Sequence, residues 1–185
     1  MATTHHPRWW RRFGSGTRGS VSVEFVLMIP ILFWAFMASF VFFDGYRQSS
    51  VNLKAAYTIG DLVSRETAAI TDEYVDSMFA LLGMLTRATS PITLRISVAR
   101  WDSGDNRYYI DWSEARGTGI LAMTDADILA LQAELPLMPD NERVILIETT
   151  NTFVPLFNVG LGNVDLDNFV FTRPRFAPQV VFASL

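Results

Sequence analysis

The chain has 185 residues, 50% of them hydrophobic, with a formal net charge of −4, no cysteine and a mean hydropathy of +0.22. That length fits one domain with an appendage, and so apolar a composition excludes wholesale disorder. The lack of cysteine excludes a disulfide scaffold, a thiolate zinc site and a thiol nucleophile.

The apolar residues are concentrated near the N-terminus. Residues 1–19 form a basic leader that carries Arg8, Arg11, Arg12 and Arg18 and no acid. From Phe25 to Phe43 there follow 19 residues without a charge. At ~1.5 Å per residue they make about 28 Å of helix, close to the ~30 Å of a bilayer core. The run is apolar on every face, which a surface helix is not, so residues 20–43 are predicted to be a transmembrane helix. From Asp44 onward the chain holds 11 basic and 18 acidic residues, a net of −7. A basic flank before the span and an acidic remainder after it predict an N-in, C-out single-pass chain. The acidic remainder also argues against a nucleic-acid partner. A removable secretory signal fits less well, because the apolar run is long and ends Phe42-Phe43-Asp44-Gly45 with no A-x-A site. Pro30 lacks an amide hydrogen and clashes with the carbonyl of Val26, which predicts a kink in the helix.

Glu24 sits directly against the apolar run. A charged acid costs about 2.5–3.5 kcal/mol at the centre of a membrane helix and less near the interface. It reads either as an interfacial boundary charge that snorkels, with Gly19 a hinge, or as a functional carboxylate. Cleavage after Gly19 would give Ser20 a new α-amino group, cationic at neutral pH with a pKa of about 8. Glu24 would then be the fifth residue of the mature chain, on the same helical face as that amine.

Gly19, four residues, Glu24-Phe25 and an apolar helix resemble the processing site of prepilin-like proteins. The stretch GSVSVEFVLMIPILFWAF is similar to the TadE/TadG-like pseudopilins of the Tad, or Flp, pilus machinery, whose helix often carries a proline near the position of Pro30. AAYTIGDLVSRE resembles that family's juxtamembrane helix. The resemblance covers residues 14–66 well and the rest only in general terms. It implies cleavage between Gly19 and Ser20 by a dedicated prepilin peptidase, and recognition or assembly through Glu24 and Phe25. It further implies a bacterial inner-membrane protein with a cytoplasmic N-terminus and a periplasmic head, whose partners are membrane lipid, the peptidase and other pilins or pilus assembly proteins.

Beyond Asp44 the pattern turns amphipathic. Val51, Ala55, Ile59, Leu62 and Val63 predict one buried helical face, so residues 44–66 read as a stalk that continues the span, with Gly60 its weak point. Residues 67–185 form the head. Thr71-Asp72-Glu73 predicts a helix start, Val75, Met78, Phe79, Leu82 and Leu85 its apolar stripe, and Pro91 its limit. Ile92, Leu94, Ile96 and Val98 alternate with Thr93, Arg95, Ser97 and Ala99, as in a half-buried strand. Residues 102–106 read as a turn, and Tyr108, Ile110 and Trp112 as the returning strand of a hairpin. A third short helix begins at Thr124-Asp125-Ala126-Asp127 and stops before Pro136 and Pro139. Residues 144–147 form a continuous apolar run expected of a central strand. Residues 169–172 predict a fourth strand and residues 180–182 a last short one. The expected class is α+β and pilin-like: a long N-terminal transmembrane helix continuing as a stalk, packed on a small head of mainly antiparallel sheet and short helices.

The two histidines, His5 and His6, lie in the leader, so the head has neither His nor Cys to serve as general base, zinc ligand or triad member. Asp125 and Asp127 read as helix-capping acids. Asp165-Leu166-Asp167-Asn168 lacks EF-hand spacing and reads as a solvated turn rather than a calcium loop. The Gly117 and Gly160 loops lack the setting of a nucleotide site. About half of Trp101, Tyr108, Tyr109 and Trp112 are expected in the core, leaving the others to face a partner. A non-enzymatic chain follows, with no cofactor, metal or small-molecule substrate. The alternative is an unprocessed, single-pass anchored binding module outside the cytoplasm.

Overall fold

The computed structural model describes residues 20–183. Gly19 and the leader residues His5, His6, Arg8, Arg11, Arg12 and Arg18 lie outside the described residues. Helix α1, Ser20–Arg65, runs for 46 residues, with Pro30 inside it. At ~1.5 Å per residue it is about 69 Å long. Among the described residues it is the one helix long and apolar enough to cross a membrane. Its end is held by Arg175, whose backbone N–H donates to the Ser64 carbonyl at 2.8 Å, and by ion pairs from Arg65 and Arg175 to Asp61.

Helix α2, Asp72–Thr86, returns beside α1. Thr71 caps it by accepting from the Tyr74 N–H, and Asp72 and Glu73 follow in the first turn. It ends before Pro91 is reached, because Arg87 adopts the left-handed conformation (φ 48°) and returns its N–H to Gly83. Strands β1 (Ile92–Asp102), β2 (Arg107–Arg116), β3 (Arg143–Phe153) and β4 (Val164–Thr172) form one antiparallel sheet in the order β2-β1-β3-β4. Short helix α3, Asp125–Leu131, lies between β2 and β3 in the chain. The molecule is therefore α+β, a long apolar N-terminal helix followed by a small four-stranded antiparallel domain with short helices.

Both faces of the sheet are covered. On one, Ala55, Ala56, Ile59 and Val63 of α1 and Val75 and Leu82 of α2 are buried with Leu94, Ile96, Val98, Ile145, Ile147 and Val170. On the other, Met123, Ile128, Leu135 and Met138 are buried with Ala99, Trp101, Tyr108, Val144 and Leu146. The expected half-buried first strand is thus buried on both sides from Ile96 to Ala99, as is the central run Val144–Ile147. The stalk face is turned slightly from its expected position: Asn52, Ala56 and Ser64 are buried, whereas Leu62 is 37% exposed.

A bulge moves one aromatic residue to the opposite face. Val98 pairs with Trp112 and Ala99 with Ile110, so Asp111 is the extra residue. Tyr108 and Ile110 join the α3 side, but Trp112 crosses to the α1–α2 side and donates from Nε1 to the Val180 carbonyl at 2.7 Å. The Asp125 carboxylate accepts the Ile110 N–H at 2.8 Å, next to the bulge. Asp127 does cap α3, accepting from both N and Oγ1 of Thr124, and these bonds hold its carboxyl below the usual range.

Residues 165–168 are not a solvated turn but part of β4, which begins five residues earlier than expected. The exposed acids of this edge strand fit a strand guarded against further pairing. Residues 180–182 add no strand to the sheet. They make a single parallel bridge, Ile70 to Phe182, with backbone bonds from Ile70 to Val181 and from Ala183 to Ile70.

Gly60 is buried where α1 meets the sheet, and a Cβ there would lie 3.5 Å from Ile147 Cγ1 and 3.7 Å from Thr172 Cγ2, ordinary contacts. Gly60→Ala should therefore stabilise the fold by about 0.5–1 kcal/mol. Gly117 has φ +107°, and its Cβ would lie 2.5 Å from the Ile92 carbonyl oxygen, so Gly117→Ala should destabilise it. Thermal unfolding followed by circular dichroism distinguishes the two directions.

Candidate functional site

The first part of α1 has no cover from the head. Every residue from Val21 to Phe36 is exposed, and the first buried positions are Ala38 and Val41. Glu24, Phe25 and Pro30 lie in this bare stretch, with Phe25 65% exposed. Ser20 opens the helix, so Ser20 and Glu24 are four residues apart, about 6 Å along the axis and nearly in line. An apolar surface of this extent in a helix belongs against lipid or against other helices.

Where α1 enters the head, a polar cleft of about 530 Å³ opens between α1, the end of α2 and the end of β3. Arg47, Arg87, Gln48 and Ser90 line it. Arg47 pairs with Asp44 at 2.8 Å, and Gln48 Nε2 donates to the Thr86 carbonyl at 3.1 Å. Behind the cleft lies a buried chain of polar groups. Ser90 Oγ meets Asn151 Oδ1 at 2.6 Å, and Asn151 Nδ2 donates to Asn52 Oδ1 at 3.1 Å. Asn52 and Asn151 are 1% and 3% exposed. This latch joins α1, β3 and the α2–β1 connection. The sequence expectation for the stalk face does not include Asn52, and the chain's own spacing does not reveal its partner 99 residues away.

A second tie holds α2 to the sheet. Arg116 at the end of β2 binds Asp76 at 2.5 Å, Asp72 at 2.7 Å and Glu114 at 3.0 Å, and these bonds, chiefly the one from Asp76, raise its pKa. Burial, then the nearby Glu66 carboxylate, pushes the Tyr74 hydroxyl up as well. Arg95 and Glu148 form a two-bond pair across β1 and β3. Among the described residues no group of three or more His, Asp or Glu side chains is arranged to hold a metal ion. Asp165 binds Thr152 Oγ1 at 2.9 Å. The hairpin aromatics do not form an exposed patch. Trp101 and Tyr108 are buried edge to face, Trp112 is tilted against Phe182, and Tyr109 lies under Arg107.

The chemistry on view is that of surfaces. A bare apolar helix carries one carboxylate near its start, and a polar cleft with two guanidinium groups sits at its point of entry into the head. Comparisons of the chain with models of protein families, with curated proteins and with solved structures found no match.

Replacing Asn52 with Leu strands the Asn151 Nδ2 donor in the core, which should cost about 1–3 kcal/mol. The double variant Asn52→Leu/Asn151→Leu should recover part of that loss. Denaturant unfolding of the four proteins of this cycle measures the coupling.

Proposed function

We propose that this chain is a pseudopilin-like membrane component of a Tad/Flp-type pilus assembly system. It acts by helix packing and protein–protein contact rather than by catalysis. The observation that carries this reading is the division of α1: a bare apolar half and a half that serves as the spine of an antiparallel head. A helix built in this way can lie in lipid before assembly and among neighbouring helices afterwards. The resemblance of residues 14–66 to TadE/TadG-like proteins supplies the remainder. On this reading the basic leader with Arg8, Arg11, Arg12 and Arg18 keeps the N-terminus in the cytoplasm, and prepilin peptidase cuts between Gly19 and Ser20 on that side. The head lies outside the cytoplasm.

Glu24 has a specific part in the proposal. Glu24 stands exposed near the start of the bare helix. In a bundle of such helices a neighbour's new Ser20 amine would meet it, and a well-aligned pair of this kind offsets the cost of taking both charges out of water. Phe25 follows Glu24 in the recognised segment, and Pro30, which has no amide hydrogen, leaves the Val26 carbonyl next to Phe25 without its helical donor.

Mass spectrometry of the membrane-extracted protein should give Ser20 as the N-terminus when prepilin peptidase is active. An intact residue 1–19 segment under those conditions excludes processing and leaves the unprocessed anchored module. Glu24→Ala should still insert in the membrane but should not support pilus formation. Normal piliation by that variant would remove Glu24 from the mechanism.

A further inference from the structure

The β3–β4 connection reaches back along the helix that enters the membrane. Phe157 meets Phe40 edge to face with ring centroids 6.3 Å apart, and Ala38 and Val41 are buried at this level. The connection is also apolar. No charge occurs between Thr149 and Val164, and Leu156, three residues after β3, is 72% exposed. At its base, an apolar groove of about 220 Å³ runs between Phe42, Gly45 and Tyr46 of α1 and Phe153, Leu161 and Leu166.

Length makes this placement consequential. The charge-free run from Phe25 to Phe43 is about 28 Å long, close to the ~30 Å of a hydrocarbon core, but only its first part, Phe25 to Phe36, about 18 Å, is bare. The remaining ~10 Å, Met37 to Phe43, runs beside the head, and Phe157 of the loop meets the helix there at Phe40. Two responses can accommodate this stretch. The bilayer can thin, at fractions of a kcal/mol per Å, or the collar around the helix can itself enter the lipid. A charged collar would force thinning. On the side of the β3–β4 connection this one carries no charge and presents large apolar side chains, and the first charges of the entry cleft, Asp44 and Arg47, come one to two turns beyond Phe40.

We propose that residues 154–161 form a membrane-seating loop. Leu156 enters the interface of the leaflet nearest the head, and the groove beside Phe42 accepts part of a lipid acyl chain. Irregular backbone is not tolerated deep in hydrocarbon, so the loop's main chain stays among the headgroups while its side chains reach the acyl boundary. The proposal rests on α1 being a membrane anchor, and it goes beyond that reading by fixing how close the head sits to the bilayer.

The absence of cysteine makes a direct test simple. Single variants Phe33→Cys in the span, Leu156→Cys in the loop and Ser103→Cys in the hairpin turn at the opposite end of the sheet are made in the full chain. Each is labelled with an environment-sensitive fluorophore and reconstituted in phosphatidylcholine–phosphatidylglycerol vesicles. Labels at Phe33→Cys and Leu156→Cys should emit to the blue, be quenched by spin-labelled lipid and be shielded from iodide. The label at Ser103→Cys should show the reverse. Iodide quenching at Leu156→Cys with lipid quenching at Phe33→Cys would overturn the seating loop and leave the anchor intact. Iodide quenching at Phe33→Cys would overturn both. Shielding of Leu156→Cys from both quenchers, with disulfide-linked dimers of that variant, would assign the surface to a second copy of the chain instead.

Discussion

Ala55, Ala56, Ile59 and Val63 are buried in one cluster with Ile96, Ile145, Ile147 and Val170, and the remainder of the architecture follows from this seat. Small residues and Gly60 let the helix axis come close to the sheet, while Ile59 and Val63 each supply about 1.5–3 kcal/mol of burial. Most helical stability in proteins comes from such tertiary packing rather than from intrinsic propensity. The second half of α1 therefore has its stabilisation within the chain. The first half does not, and its length and composition suit lipid instead. One continuous helix is thus divided into a bare apolar half and a half covered by the head, and the division falls near Ala38, where that cover begins.

An apolar seat alone is tolerant of sliding, because methyl groups pack about equally well one helical turn away. The buried Asn52–Asn151–Ser90 chain removes that freedom. A shift of one turn, ~5.4 Å, would break the bond from Asn151 Nδ2 to Asn52 Oδ1 and leave a buried donor and a buried acceptor unmatched, at a cost larger than the packing difference. The Arg116 cluster does the same for α2 by binding Asp72 and Asp76 on successive turns. Polar groups set register here, and apolar burial supplies most of the stability.

The elements written in strong local patterns were legible in the sequence. The charge-free run, the caps at Thr71 and Thr124, and the central strand at residues 144–147 stand where periodicity puts them. What could not be read is what depends on a distant strand. Trp112 obeys the alternation of Tyr108 and Ile110 on paper, yet the bulge at Asp111 is defined only by pairing with β1. Asp165 and Asp167 look like turn residues because acids are rare in strands, and only the pairing with β3 at a sheet edge makes them acceptable. The same limit applies to the site. Glu24, Phe25 and Pro30 were found as a linear motif, whereas the polar latch and the loop beside Phe40 join segments about a hundred residues apart.

The helix α1 has no joint between the part suited to lipid and the part fixed in the sheet. Orientation of the head and tilt of the span are then a single variable. From Ile31, beyond Pro30, to Arg65 the helix is about 52 Å long, and a tilt of about 5° at one end displaces the other by about 5 Å. Whatever grips the bare half, lipid of a given thickness or a row of neighbouring helices, therefore steers the sheet and its edges as a lever does, with no signal needing to pass through a flexible neck.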